Sequence, residues 1–166
     1  MSKYTARSSF EKKNYEPRRK NHAFSAIFLT GQFNRDDWYV DSGASFHLTL
    51  DENSLENAVN QPDIQIMVAD ETKLAVSCVG EVNLTTLVDN EKHRVIIKNV
   101  KCVPALTTNL LSVSQLIKNG NSVNFEKNCC KIFNNKGTLV ATADLVNNVY
   151  RLNAEKPNHC LLAKSA

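Results

Sequence analysis

The sequence lacks any apolar run close to the roughly 20 residues that a membrane-spanning helix needs, so we expect no membrane contact. Its first residues have no apolar middle of the kind that marks a secretory signal, which predicts an intracellular protein. The five cysteines are odd in number and show no disulfide-scaffold spacing. We therefore expect free thiols that are buried or half-buried.

A metal site is the alternative use of these cysteines. Cys129, Cys130, His159 and Cys160 carry side chains that bind zinc. Zinc ligands usually come in pairs that are separated by two to four residues, and adjacent cysteines followed by a long gap do not match that spacing. We expect no metal and no cofactor.

The chain has 166 residues, of which 42% are hydrophobic, and fits one domain with a tail. Its net charge of +3 is uneven, because residues 1–25 hold seven basic and two acidic side chains. That local excess of five leaves the remainder slightly acidic, by two. A basic stretch without sustained periodicity is typical of a disordered, solvated linker, although it can also contact nucleic acid weakly and nonspecifically.

Short strand-like segments dominate the rest of the chain, which predicts a mainly β fold, a small barrel or sandwich. The predicted strands are 38–40, 64–68, 74–79, 82–88, 94–97, 100–103, 122–125, 130–133, 138–141 and 149–152. Turns are predicted at 69–73, 89–92 and 134–137, with a bend or bulge at Gly80. Apolar residues at near-helical spacing between Leu110 and Ile117 predict one short helix.

The predicted domain division has three parts. Residues 1–35 form the basic tail, in which 23–33 are apolar enough to pair with the body as a strand. Residues 36–126 form the β-barrel, and 127–166 add further hairpins.

The most informative motif follows the apolar run Trp38-Tyr39-Val40 and reads Asp41-Ser42-Gly43-Ala44-Ser45. A strand that delivers an aspartate into a tight Ser-Gly turn is how aspartic proteases present their catalytic carboxylate, although Asp-Ser-Gly is also an ordinary turn sequence. The chain has a single such triplet, so a protease built from it must be a dimer.

Several ordered segments together resemble the Gag-Pol polyproteins of copia-type retrotransposons, over roughly residues 36–163. These segments are 38–47, 68–70, 100–104, 109–120 and 150–152. The resemblance implies a small closed β-barrel of the retropepsin-like type, active as a homodimer on a polypeptide substrate. It also implies a cytoplasmic location or one in a virus-like particle, and it makes 127–166 the approach to a pre-integrase segment.

The same resemblance implies the site residues. Asp41 is the catalytic carboxylate, with Ser42 and Gly43 supporting it and the small Ala44 allowing two loops to meet. The hairpin tip is the flap over the substrate, and 109–112 take the place of the retroviral Asn-Ile-Ile-Gly. The expected substrate-binding residues are Ala44 and, in the flap, Ala69, Asp70, Glu71 and Thr72.

Other interpretations stay open. The sequence shows no intact zinc knuckle and no integrase ligand pair, so the chain is a polyprotein fragment, a decayed copy or a host-adopted piece. It could then serve as a catalytically silent barrel that mediates interaction or dimerisation. A nucleic-acid binder is a third hypothesis, which rests on the basic tail alone. His47 near Ser45 invites a Ser/His hydrolase interpretation, but no Gly-x-Ser-x-Gly elbow supports it and a core or surface histidine fits better.

Overall fold

The structure is a computed structural model that describes residues 33–68 and 71–157. The described residues form twelve β-strands, one short 3₁₀ turn (Glu52–Ser54) and one α-helix. The strands are β1 (Trp38–Asp41), β2 (Leu48–Thr49), β3 (Leu55–Asn60), β4 (Gln65–Met67), β5 (Lys73–Ala75), β6 (Cys78–Val88), β7 (Glu91–Cys102), β8 (Asn109–Ser112), β9 (Ser122–Phe125), β10 (Cys129–Phe133), β11 (Leu139–Val146) and β12 (Val149–Leu152), and the helix is α1 (Val113–Lys118). The predicted basic tail and the last residues of the chain lie outside the described residues.

Ten of the strands form one sheet in the order β3-β6-β7-β2-β8-β1-β12-β11-β10-β9, and β4 and β5 form a separate hairpin. The pairs β1–β8 and β2–β7 are parallel, and the other pairs of the large sheet are antiparallel. This confirms the mainly β class with one short helix. Within the described ranges β3 and β9 end the sheet without pairing to each other, so the closed form of the barrel stays a prediction.

The parallel pair β1–β8 lies at the centre of the fold and is buried on both faces. Side chains of a strand alternate between faces, so consecutive residues enter different cores. Trp38 and Leu111 join one cluster, which we call the main core, with Val40, Val82, Ile97, Val100, Val113, Leu116, Cys130, Ile132, Ala141, Ala143 and Leu152. Tyr39 and Leu110 join the other, which we call the loop core, with Ala44, Leu48, Leu50, Ile66, Val76, Val103 and Leu106.

The helix differs from the sequence-based expectation. Leu110 and Leu111, which were expected to begin it, belong to strand β8, and α1 begins only at Val113. The reason is that both leucines have strand partners on β1 and fill the two cores from opposite faces. Ser112 ends the strand and caps the helix, since its side chain accepts a hydrogen bond from the backbone N–H of Gln115.

Turn chemistry in the sequence is confirmed at two hairpins. Asp89 and Asn90 both adopt positive φ, 50° and 66°, in the two-residue loop between β6 and β7. Gly137, at φ 77°, closes the turn between β10 and β11. Asn147 and Asn148 make a similar loop before β12, with φ of 50° and 65°.

Strands from the C-terminal part join the same sheet as the rest. β12 pairs with β1 through Tyr39–Arg151 and Val40–Tyr150, and β11, β10 and β9 follow in order. The expected division at residues 126 and 127 is not tested by this pairing and stays a prediction. No helix in the part of the chain that the structure describes has the length and apolar character to cross a bilayer.

Gly80 lies at an irregularity of strand β6, as its sequence context predicts, and the edge strand β3 crosses it closely. A methyl group at Gly80 would lie 2.7 Å from the carbonyl oxygen of Glu56 and 3.2 Å from Ala58 Cα. Backbone atoms cannot rotate away, so we predict that Gly80→Ala lowers the free energy of unfolding by about 1–3 kcal/mol and displaces β3. Urea denaturation and amide exchange of residues 55–60 measure both effects.

The control is Gly137→Ala, which meets nothing within 4 Å but has a φ of +77°. It should cost about 1 kcal/mol through backbone strain alone and leave exchange in β3 unchanged. A Gly80→Ala protein as stable as the original would contradict the close approach.

Candidate active site

Asp41 is the last residue of strand β1, and the parallel register places it opposite Ser112 at the end of β8. The two segments that the sequence singled out, 41–45 and 109–116, therefore meet at one end of the central pair. Asp41 is half-buried, while Ser42 and Gly43 after it are exposed. The strand end thus offers a carboxylate beside a small, accessible turn.

The two oxygens of the Asp41 carboxylate have different surroundings. Oδ1 accepts a hydrogen bond of 2.8 Å from the backbone N–H of Gly43, which fixes the side chain within its own turn. Oδ2 is enclosed and has no hydrogen-bond partner among the described residues. An enclosed carboxylate oxygen without a partner is costly, so Asp41 is a side chain that the described residues alone do not satisfy.

The loop 41–45 is held from behind by the segment that joins β8 to α1. Ser112 Oγ donates to the carbonyl oxygen of Ala44 at 2.6 Å, and Gln115 Nε2 donates to that of Ser45 at 2.8 Å. Ser112 Oγ also accepts from the N–H of Gln115 at 3.3 Å. We call these three contacts the Ser112 brace. They fix the backbone that carries Asp41 without using its carboxylate.

His47 belongs to the interior, as the core interpretation of this histidine expected. Only 1% of its surface is exposed, and its Nδ1 accepts a 3.0 Å hydrogen bond from the N–H of Ser112. Burial lowers the pKa of His47 from its ordinary 6.5 to about 4. The ring is therefore neutral at physiological pH, with its proton on Nε2, and acts as a further support behind the loop.

Ala44 lies in the loop core, where 2% of its surface is exposed. Its methyl group packs inward on the protein's own core, and the exposed members of the turn are Ser42 and Gly43. A small side chain at this position is explained by that packing, because a larger one would have to displace core residues.

The predicted hairpin exists, with β4 and β5 as its legs. Its turn is closed by hydrogen bonds from the N–H of Val68 to the Thr72 carbonyl (2.9 Å) and from the N–H of Glu71 to the Val68 carbonyl (3.0 Å). Glu71 supplies a positive φ of 66° in a tip without glycine, and it is exposed, as is Thr72. Ala69 and Asp70 lie outside the described residues, and the flap role of the hairpin stays a prediction.

The hairpin and the residue that follows it share the loop core with the loop 41–45. Ile66 and Val76 are both 1% exposed and pack in the cluster that contains Ala44 and Tyr39. The hairpin and the loop are therefore neighbours on one end of the molecule.

The cysteines of the described ranges form no metal-binding site. No three His, Cys, Asp or Glu side chains of residues 33–68 and 71–157 cluster so that they could hold a metal ion. Cys78, Cys102 and Cys130 are buried free thiols and Cys129 is a half-buried one. This confirms, for these four residues, the expectation of buried or half-buried free thiols. Burial raises the pKa of the Cys130 thiol to about 11, so it is protonated and inert. His159 and Cys160 lie outside the described residues.

Asn109 was quoted in the sequence motif, but its structural role was not foreseen. Its Oδ1 accepts from Thr49 Oγ1 at 2.7 Å and from the N–H of Leu50 at 3.2 Å. Its Nδ2 donates to the carbonyl oxygens of Arg35 (2.9 Å) and Asp37 (3.0 Å). The sequence carries one sign of this role, since a polar residue, Asn109 or Ser112, stands at each end of the fully buried strand β8. Buried polar residues of this kind must find internal hydrogen-bond partners.

A family model and two relatives match this sequence. Residues 38–121 match the family model described as "Pol polyprotein, beta-barrel domain". The chain is 34% identical over 103 residues to the "Retrovirus-related Pol polyprotein from transposon RE1" and 32% identical over 103 residues to that from transposon RE2, both from Arabidopsis thaliana. Each match covers 60% of this chain and 7% of the relative, so the chain spans less than a tenth of those polyproteins. No solved structure matches.

The Ser112 brace generates a stability prediction. Ser112→Ala removes the helix cap and leaves the buried Ala44 carbonyl without its donor, which should lower the free energy of unfolding by about 1–3 kcal/mol. Amide exchange in residues 41–45 should accelerate more than in the distant strands, as mass spectrometry would show.

The matched control is Ser114→Ala, because Ser114 lies two residues further along the chain and is exposed on α1. Its hydroxyl contacts only that of Ser112 among the described groups, at 3.1 Å, so the change should stay within about 0.5 kcal/mol. Equal effects of both substitutions would mean that the brace does not hold the loop.

His47 generates a pH prediction. The pKa is about 4 in the folded chain and near 6.5 when unfolded, so the unfolded chain binds the proton first as pH falls. The contribution of neutral His47 is full above pH 6.5, and it is lost between pH 6.5 and about 4. The destabilisation caused by His47→Asn at pH 7 should therefore shrink by about 2 kcal/mol at pH 5.

Denaturant titrations of both proteins at the two pH values measure this difference, and an NMR titration of the His47 ring measures its pKa directly. A ring that titrates near 6.5 in the folded protein would refute the burial argument.

Proposed function

We propose that this chain, which belongs to the Pol polyprotein beta-barrel domain family, is an aspartic endopeptidase that cleaves a Gag-Pol precursor as a homodimer. Family membership, with the similarity to two transposon Pol polyproteins, agrees with the motif-based assignment to retrotransposon polyproteins. The protease activity, the dimer and the substrate are our proposal.

The observation that carries the proposal is the state of the Asp41 carboxylate. One oxygen is fixed by the Gly43 N–H, and the other is enclosed without a partner among the described residues. A turn-capping aspartate would be explained by the first contact alone. A second oxygen that no described group of its own chain pairs supports a carboxylate reserved for chemistry, and the exposed Ser42 and Gly43 beside it supply the face on which a second copy can approach.

The chemistry requires two such carboxylates. Peptide hydrolysis without a covalent intermediate needs an activated water and a polarised carbonyl, and one aspartate cannot supply both. Two carboxyl groups about 3 Å apart share one proton, because both cannot ionise at that distance. The ionised group then takes a proton from water while the protonated group donates to the carbonyl oxygen. With one Asp41 per chain, the pair lies on a two-fold axis.

Other parts of the fold suit this arrangement. Ser42 and Gly43 are exposed beside Asp41, so the same turn of a second copy can approach them. The hairpin tip then covers the substrate, with Glu71, Thr72, Ala69 and Asp70 as contacts.

The closed, retropepsin-like barrel is part of the proposal. It is supported by the bridge between Thr86 of β6 and Ala154 and by the hydrogen bond that Thr86 Oγ1 donates to the Val140 carbonyl, which bring distant parts of the sheet together.

A silent barrel that serves only interaction or dimerisation is the alternative, and it needs the same fold without turnover. Weak nucleic-acid contact by residues 1–25, and a location in the cytoplasm or a virus-like particle, also remain proposals. Salt-titrated binding with and without residues 1–25 separates the nucleic-acid role from the protease role.

The decisive substitution is Asp41→Asn, tested on a Gag-like polypeptide from mildly acidic to neutral pH. Loss of the ionisable pair should reduce cleavage by about 10²–10⁴-fold, because an amide can neither accept nor share the catalytic proton. The matched control is Asp89→Asn, in the β6–β7 turn with a φ of 50° that asparagine also adopts, and it should retain full activity.

Dimer dependence provides a second measurement. At low dose the rate of the original protein should rise with the square of its concentration, and added Asp41→Asn chain should inhibit by forming mixed dimers. Equal cleavage by the Asp41→Asn protein would disprove the mechanism. A sample that is folded and dimeric but does not cleave would instead favour the silent barrel.

A further inference from the structure

A cavity of about 400 Å³ opens onto the main core, and neither Asp41 nor any other residue of the loop 41–45 lines it. Its volume is in the range of small-molecule sites in proteins. Strand β7, helix α1 and strands β10 to β12 contribute its walls.

The cavity has an apolar floor and a polar rim. Its floor is formed by buried side chains, chiefly Leu111, Leu116, Ile132, Ala141 and Leu152. Its opening is marked by lining residues that are exposed, namely Ile96, Lys98 and Asn119. Ile96 keeps 59% of its surface exposed at this rim.

The charge of the residues that line the cavity indicates the charge of the ligand that it would bind. Lys98 is the charged group among the residues that line the cavity, and no carboxylate is among them. The amides of Asn119 and Asn121 are the nearby polar groups. A single basic residue among the exposed lining residues of an apolar cavity favours a ligand with one anionic head and an apolar tail.

We propose that this cavity binds a small monoanionic amphiphile, with its apolar tail on the floor and its carboxylate or similar head group at Lys98. The site is independent of Asp41. It adjoins the Ser112 brace, however, because His47 and Leu111 both line it and the N–H of Ser112 donates to His47. A tail packed on these two residues restricts the motions that expose that N–H.

The test uses the full chain and decanoate as the probe, below its micelle concentration, with decyltrimethylammonium as the matched ligand of the same tail and opposite charge. Calorimetry should give decanoate a dissociation constant of roughly 10–100 µM and the cation at least roughly tenfold weaker binding. 4-Phenylbutyrate, with an aromatic tail, distinguishes an aliphatic from an aromatic preference. Ser112 amide exchange should slow when decanoate is bound.

Three variants keep the result interpretable. Lys98→Glu changes an exposed side chain, so the fold should persist while the preference reverses in favour of the cation. Lys127→Glu, exposed in the loop between β9 and β10, should leave both affinities unchanged. Ala141→Phe, which fills the floor, should abolish binding if the protein remains folded.

Several outcomes would overturn the site. They are no decanoate binding by the full chain, binding that is equal for both charges, or a Lys98→Glu protein with unaltered preference. Binding by the Asp41→Asn protein should equal that of the original, so failure of the protease proposal and failure of this one are distinguishable.

Discussion

The hydrogen bonds of Ser112 are the constraint on which the arrangement of the site depends. This residue ends strand β8, caps helix α1, and donates its hydroxyl proton to the Ala44 carbonyl and its N–H to His47. It is fully buried, so these bonds form without competition from water and would be costly to lose. Because its register partner is Asp41, the same residue that joins strand to helix also fixes the loop that carries the carboxylate.

The burial of strands β1 and β8 on both faces explains why the Ser112 brace is needed. The pair β1–β8 has apolar neighbours on both faces, so its ends are the places where polar groups can be used. At one end Asn109 satisfies backbone groups of Arg35, Asp37 and Leu50. At the other end Ser112 organises the loop. The two apolar residues between them specify the packing, and the two polar residues specify where the strand stops.

The class of the fold could be predicted because its signals are local. Alternation, turn residues and the bulge at Gly80 follow from a few neighbouring side chains, and the apolar run before Asp41 marks strand β1, which ends at that residue. Leu110 and Leu111 were misassigned to the helix because their spacing suits a helix as well as a doubly buried strand, and only the partner strand β1 decides between them. The role of His47 depends on an N–H that lies 65 positions away, which no local pattern shows.

Acid conditions act on this fold through His47. Its pKa of about 4 in the folded chain means that lower pH stabilises the unfolded chain. The histidine is hydrogen-bonded to Ser112, which braces the loop 41–45, so the loss of stability falls on the candidate site itself. The lower pH limit of the proposed protease would therefore be set by its fold.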